Sequence, residues 1–262
     1  GLDEANRDAL FEDFEIWTRA LFSIPLALPG TPFAKAMAAR QRLLTRLKTV
    51  LMNRDQNRGG LDLLSDGLDE EGIPLDDDDL AEQLLLLLFA GYETTASSLS
   101  CLFRALLLNP EVASWLQSDL AGGSPTPCLD ATVLEVMRLT PPVGGFFRRS
   151  LRPVQLAGVE VPENSVIQVV LTPSHPRDAT DLAAFRPQRH LDGSFEQTLL
   201  PFGGGQRVCL GKALAQLEIR LMAVGLLSRL KLELLPDQDL SLQLIPSPTP
   251  RGGLLVQAQA IH

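Results

Sequence analysis

The feature that most limits the possible folds is a proline-free run from Leu80 to Leu108, in which only Glu82, Glu93 and Arg104 carry charge. Leucine, alanine and glutamate favour helix, and Asn109-Pro110 supplies the stop, because the residue before proline is pushed out of helical geometry. The spacing predicts one long helix over this whole stretch. Its most apolar portion, Leu84 to Gly91, is too short to span a bilayer and is flanked by Glu82 and Glu93. The expectation is therefore no membrane segment in the chain; an anchor upstream of residue 1 is left open.

The rest of the sequence extends the helical theme. Leu10, Phe11, Phe14, Trp17 and Leu21 predict a helix over residues 3–22, and the prolines and glycine of Phe22-Ser-Ile-Pro-Leu-Ala-Leu-Pro-Gly30 turn it into an apolar loop. Further helices are expected over 33–53, 112–120, 130–139 and 211–230. The acidic run Asp76 to Asp79 reads as a solvated helix start. Residues 148–171 alternate like strands around Gly158 and Pro162, and residues 232–261 read as short strands and turns. Hydrophobic residues are 45% of the chain but aromatic ones only 5%, which favours helix over sheet. The expected fold class is mainly α with minor β, a single domain over residues 1–262.

A net charge of −9 argues against a phosphate-binding surface, so no nucleic-acid partner is expected. Three cysteines, Cys101, Cys128 and Cys209, form neither a disulfide framework nor a CxxC metal site. Their sparsity points to a reducing, cytoplasmic compartment. Any metal held through sulfur would rest on one thiolate.

The strongest chemical signal is Phe202-Gly-Gly-Gly-Gln-Arg-Val-Cys-Leu-Gly211. Its glycines let the backbone approach something flat, and Cys209 stands just before an expected helix whose positive end favours thiolate. Arg207 adds a charge suited to an anionic group. A thiolate so placed can ligate haem iron. The plain alternative is a glycine turn feeding a helix, with an ordinary buried thiol.

The segment is similar to the haem loop of the cytochrome P450 monooxygenases, whose pattern Phe-x-x-Gly-x-Arg-x-Cys-x-Gly is filled by Phe202, Gly205, Arg207, Cys209 and Gly211. The resemblance implies haem b as cofactor, with Cys209 as the metal ligand. It also implies a role for Ala90-Gly-Tyr-Glu-Thr-Thr95, where a helical glycine and threonine alone would signal only packing or a local loosening of the helix. In the family Gly91 would make room for dioxygen, Thr94 would steady it and Glu93 would help deliver protons.

Glu135 and Arg138 share a helix face at i, i+3. The resemblance adds Arg189, from Phe185-Arg-Pro-Gln-Arg-His190, as third member of a structural triad; Gln188 and His190 depart from the family's Glu and Phe there. Arg148 is implied as a propionate contact, with Arg149 the alternative. Lys212 and Arg220 are candidate docking charges for a ferredoxin- or reductase-type electron donor. His175 is a lone histidine and reads as structural. Phe22 to Gly30 and Pro141 to Gly145 resemble the retinoic-acid hydroxylase branch of cyanobacteria and animals, implying an apolar, retinoid-like substrate.

The expected architecture is a cytochrome P450 fold lacking its N-terminal portion. Two other readings stand beside the enzyme: a non-catalytic haem-binding fragment or split half, and a helical interaction module without haem.

Overall fold

The computed structural model describes residues 4–52, 66–69, 71–171, 180–195 and 198–261. His175 lies outside them, as does most of the polar segment preceding the acidic run. The chain divides into two compact units, Gly1–Tyr92 and Glu93–His262.

The first unit is built from α1 (Glu4–Arg19), α2 (Pro32–Met52) and the beginning of α3 (Asp77–Leu108). Leucines at helical spacing on α2, namely Leu43, Leu44, Leu47 and Leu51, bury against Phe14 of α1 and Leu80, Ala81 and Leu85 of α3. Asp13 is buried inside this unit and accepts from Arg42 at 2.5 and 2.8 Å, which keeps its charge paired. The link between α1 and α2 is the expected apolar loop, with Phe22 and Ile24 exposed; the Thr31 hydroxyl braces it at the Leu26 and Leu28 carbonyls. Asp76 caps α3 by accepting from the Asp78 and Asp79 N–H groups, so the acidic run is a helix start stabilised by its own dipole.

α3 runs unbroken through Gly91 and Thr94, so the local loosening expected there is not seen. Leucines and alanines on both sides hold the helix through one glycine. At this length α3 is long and apolar enough to cross a membrane, though 22% of its most apolar window is buried. The sequence expectation had weighed only the run Leu84 to Gly91.

In the second unit, the remainder of α3 packs with α4 (Pro110–Asp119), α5 (Pro127–Leu139) and α7 (Lys212–Leu227). Leu102, Leu106, Leu116, Leu120, Leu129, Ile219 and Ala223 form the centre of this core. α5 begins three residues earlier than expected, because Thr126 accepts from the Leu129 N–H and Pro127 occupies the first helical position. Pro127, which read as loop, is in fact the helix start.

Among the described residues, four antiparallel ribbons complete the unit. β1 (Gly145–Arg149) pairs with β4 (Val166–Val170), and β2 (Val154–Leu156) pairs with β3 (Val159–Val161) across a two-residue turn. That turn has φ of 48° at Ala157 and 82° at Gly158, the handedness a tight hairpin needs. β5 (Leu230–Leu234) pairs with β8 (Val256–Ala260), and β6 (Leu242–Gln243) with β7 (Thr249–Pro250). A short helix, α6 (Thr180–Ala183), precedes a 3-10 turn over Pro187–His190.

Candidate thiolate site and its supporting network

The loop ahead of α7 is shaped by backbone rather than by side chains. Gly203 and Gly205 have φ of 70° and 67°, a region side chains other than glycine rarely adopt. Gly203 N–H donates to the Leu200 carbonyl, Gly205–Arg207 makes one 3-10 turn, and Cys209 N–H closes the loop onto the Phe202 carbonyl at 2.9 Å. Phe202 packs on the second core and so anchors one end. Gly211 caps α7, whose first residue is Lys212.

The three thiols differ sharply. Cys101 is buried and donates to the Pro248 carbonyl, and burial pushes its pKa up; Cys128 is half-buried and is also pushed up by desolvation. Cys209 is exposed. Arg207 and Arg148 are exposed too, and among the described residues no carboxylate lies within ion-pair distance of either. Arg148 stacks over the Phe146 ring at 4.3 Å, and that ring lies 4.0 Å from where a Cβ on Gly203 would stand. Phe146 thereby brings β1 against the cysteine loop.

Glu93 and Thr94 lie half-buried on α3, and burial raises the Glu93 pKa. The Thr94 carbonyl accepts from the Ser98 hydroxyl. Gly91 sits near the end of the first unit, and among the described residues, its own helix backbone and chain neighbours apart, no atom lies within 4 Å of where its Cβ would stand.

The structural triad is present and larger than the sequence suggested. Glu135 is fully buried and accepts from Arg138 at 2.8 and 2.9 Å, from Arg189 at 2.9 Å and from the Arg186 N–H at 3.0 Å. His190, which read only as a departure from the family, lies 2.7 Å from Glu135 Oε2. Asp181 pairs with the far side of Arg189, whose Nη2 also donates to the Asp181 and Ala184 carbonyls. Phe195 closes the cluster, edge-on to His190 and 5.7 Å from Arg138. Desolvation alone would raise the Glu135 pKa, but the hydrogen bonds from Arg138, His190 and Arg186 hold it down to about 2.

A second motif escaped sequence reading. Ser97, Cys101 and Arg104 form a polar ridge on α3, donating to the Pro248 and Leu240 carbonyls of the C-terminal segment. Polar residues at i, i+4 and i+7 on an apolar helix were the available signal. Arg220 is a correction: it forms two hydrogen bonds to Asp130, so it is an occupied cation and not a free docking charge. Lys212 remains exposed, 5.9 Å from the Phe202 ring.

The cytochrome P450 family profile matches residues 33–259. The chain belongs to that family. It is 36% identical to cytochrome P450 120 of Synechocystis sp. across 96% of its own length and 62% of the relative's, and 31% identical to cytochrome P450 26B1 of Homo sapiens across 98% and 56%. Among solved structures, a retinoic-acid-bound cyanobacterial protein, CYP120A1, superposes with a TM-score of 0.83 at 33% identity, covering 96% of this chain and 63% of that one. The protein thus has the cytochrome P450 fold and spans about three fifths of the length of these relatives.

Proposed function

We propose that the chain carries the haem centre of a monooxygenase that inserts one oxygen atom from dioxygen into a C–H bond of an elongated apolar substrate of retinoid type. The observation that carries this reading is the Cys209 loop. It presents the most accessible of the three thiols beside an arginine that has no acidic partner among the described residues. A lone soft ligand flanked by free cations suits a metal held in an anionic macrocycle better than a bare ion. Among the described residues no group of three His, Cys, Asp or Glu side chains could hold a bare ion instead.

In this reading Cys209 Sγ would hold the iron of haem b, and Phe202, Gly205 and Gly211 keep the loop in shape around the thiolate. Haem, when bound, supplies an iron to which the thiolate lends electron density for O–O cleavage. Arg207 and Arg148 would pair with its carboxylates. Gly91 leaves space on α3, and Glu93, whose carboxyl pKa burial raises, delivers protons by way of Thr94 Oγ1. Glu135, Arg138 and Arg189 touch no reactant; they fix the fold on the thiolate side. Electrons come from a ferredoxin- or reductase-type donor, with Lys212 as a docking charge. The retinoid assignment is supported by similarity to the structure solved with retinoic acid. The free thiols suit a reducing compartment such as the cytoplasm.

The test is turnover of retinoic acid by the haem-loaded chain, with an electron donor, under 18O2. The expected product carries one labelled oxygen. Bound haem with no label incorporated favours a second reading, a haem-binding segment that is not active by itself. The coverage of only 62% of the cyanobacterial relative gives that reading its weight.

A further inference from the structure

α1 and α3 meet through a ladder of aromatic rings. Phe11, Phe14 and Trp17 stand three residues apart on α1, so they share one side of that helix. Phe89 and Tyr92 stand three apart on α3 and meet them edge-on. Tyr92 lies 5.7 Å from Phe11 and 5.3 Å from Phe14, ring centre to ring centre. Phe14 lies 5.9 Å from Trp17, and Trp17 lies 5.7 Å from Phe89. All these contacts are T-shaped, the arrangement that ring quadrupoles favour at such distances. The whole ladder lies within the first unit.

Composition makes this ladder more than a packing device. The chain has eleven phenylalanines but only one tyrosine and two tryptophans. A phenylalanine would fill the Tyr92 position as well, without a hydroxyl that has to be given polar company. Yet the single tyrosine and one of the tryptophans both stand here, with Phe14 touching each. Tyrosine and tryptophan rings give up one electron readily. Phenylalanine does not, but a ring between them shortens the gap an electron must cross. Tyr92 is 41% exposed, so its phenolic proton exchanges with water, and Trp17 is half-buried. Tyr92 also stands directly before Glu93 and two residues before Thr94 on one continuous helix, beside the residues proposed to handle dioxygen.

We propose that Tyr92 and Trp17, coupled across Phe14, form a one-electron relay through which the chain discharges a peroxide when no substrate is present. The relay rests on the monooxygenase reading for its oxidant, which is haem iron oxidised by a peroxide. Its electrons come from a small thiol in solution. In each pass Tyr92 gives one electron to that oxidant and its phenolic proton to water. Trp17 then gives one electron to the Tyr92 radical through Phe14; the phenol takes a proton back from water and Trp17 Nε1 releases one. A thiol returns one electron and one proton to Trp17. Two passes deliver two electrons and two protons, so the O–O bond of one hydrogen peroxide breaks to give two waters, and two thiols join as one disulfide.

The coupling is tested first without haem. Azide radicals made by pulse radiolysis oxidise tryptophan in preference to tyrosine, and a Trp115→Phe chain keeps Trp17 alone. Its tryptophanyl absorption should decay as tyrosyl absorption rises, first order and at a rate independent of protein concentration. The electron here runs from Tyr92 to Trp17, the reverse sense across the same coupling. Tyr92→Phe should abolish the rise, and a Trp17→Phe chain, which keeps Trp115, should lose its fast phase. Each substitution leaves an aromatic ring of similar shape in place, so the fold is kept, which circular dichroism verifies. The haem-loaded chain is then given hydrogen peroxide and glutathione without substrate. Tyr92→Phe and Trp17→Phe should each bleach the Soret band several-fold sooner than the parent and form less disulfide per peroxide.

Tyrosyl absorption that never rises, or that rises at a rate proportional to protein concentration, overturns the relay. Equal bleaching of the parent and both variants overturns its role against peroxide. A chain that takes up no haem defeats the monooxygenase reading and removes the oxidant, while the radiolysis still decides whether Tyr92 and Trp17 are coupled.

Discussion

Replacing Glu135 by glutamine tests how the buried network is held. Its carboxylate is fully buried, with Arg138, Arg189, His190 and the Arg186 N–H gathered on it. Against the strong opposing effect of desolvation, these partners lower its pKa from 4.5 to about 2. A drop of that size corresponds to about 3 kcal/mol of folding stability. Removing one partner of a buried ion pair typically costs about 3–5 kcal/mol, a consistent range. Because the folded-state pKa is depressed, this stability is present in full above the unfolded value near 4.5 and fades as pH falls toward 2. Glu135→Gln should therefore destabilise the second unit by about 3 kcal/mol at pH 7, lowering Tm by about 6–12 °C. The gap to the parent protein should persist at pH 5.5 and narrow below 4.5. Urea unfolding can be followed by Trp115 fluorescence in a Trp17→Phe background, since the chain has two tryptophans and Trp115 packs against the second core. A gap under about 1 kcal/mol at pH 7, or one that stays constant down to pH 3, would refute the reasoning.

Three further expectations follow from local geometry. Gly145→Ala places a Cβ 2.5 Å from the Val169 carbonyl oxygen, a backbone atom of the paired strand; β1–β4 should loosen, with faster proteolysis between residues 145 and 170, and an unchanged digestion pattern would contradict this. Thr126→Ala removes the cap of α5 and should cost about 1 kcal/mol by denaturant titration; no loss would mean that Pro127 starts the helix unaided. Ser97→Ala withdraws the hydroxyl that donates to Pro248 at 2.7 Å, so amide exchange over residues 240–250 should rise several-fold while β2–β3 is unaffected; a uniform rise would instead indicate global destabilisation.

The helices were legible because their signals are local. Leu80 to Leu108 lacks proline, and Asn109-Pro110 ends it where the structure does. The start of α5 was misread because Ser-Pro-Thr-Pro looks like loop until Thr126 is seen to cap Leu129. The cysteine loop was legible through its fixed spacing. The network was legible in part: Glu135 and Arg138 share one helix, and family likeness supplied Arg189. His190 and Asp181 were not found because their contacts to Glu135 and Arg189 depend on how the segment around α6 folds back on α5. The ridge of Ser97, Cys101 and Arg104 was missed for a similar reason. Its acceptors are main-chain carbonyls more than a hundred residues away, and carbonyls leave no mark in a sequence.

The most direct test of the central claim is the spectrum of the haem-reconstituted chain, reduced and exposed to carbon monoxide. The account expects a strongly red-shifted Soret band that survives Cys101→Ala and Cys128→Ala and disappears in Cys209→Ala. A red-shifted band that persists in Cys209→Ala, or a chain that takes up no haem, would contradict it.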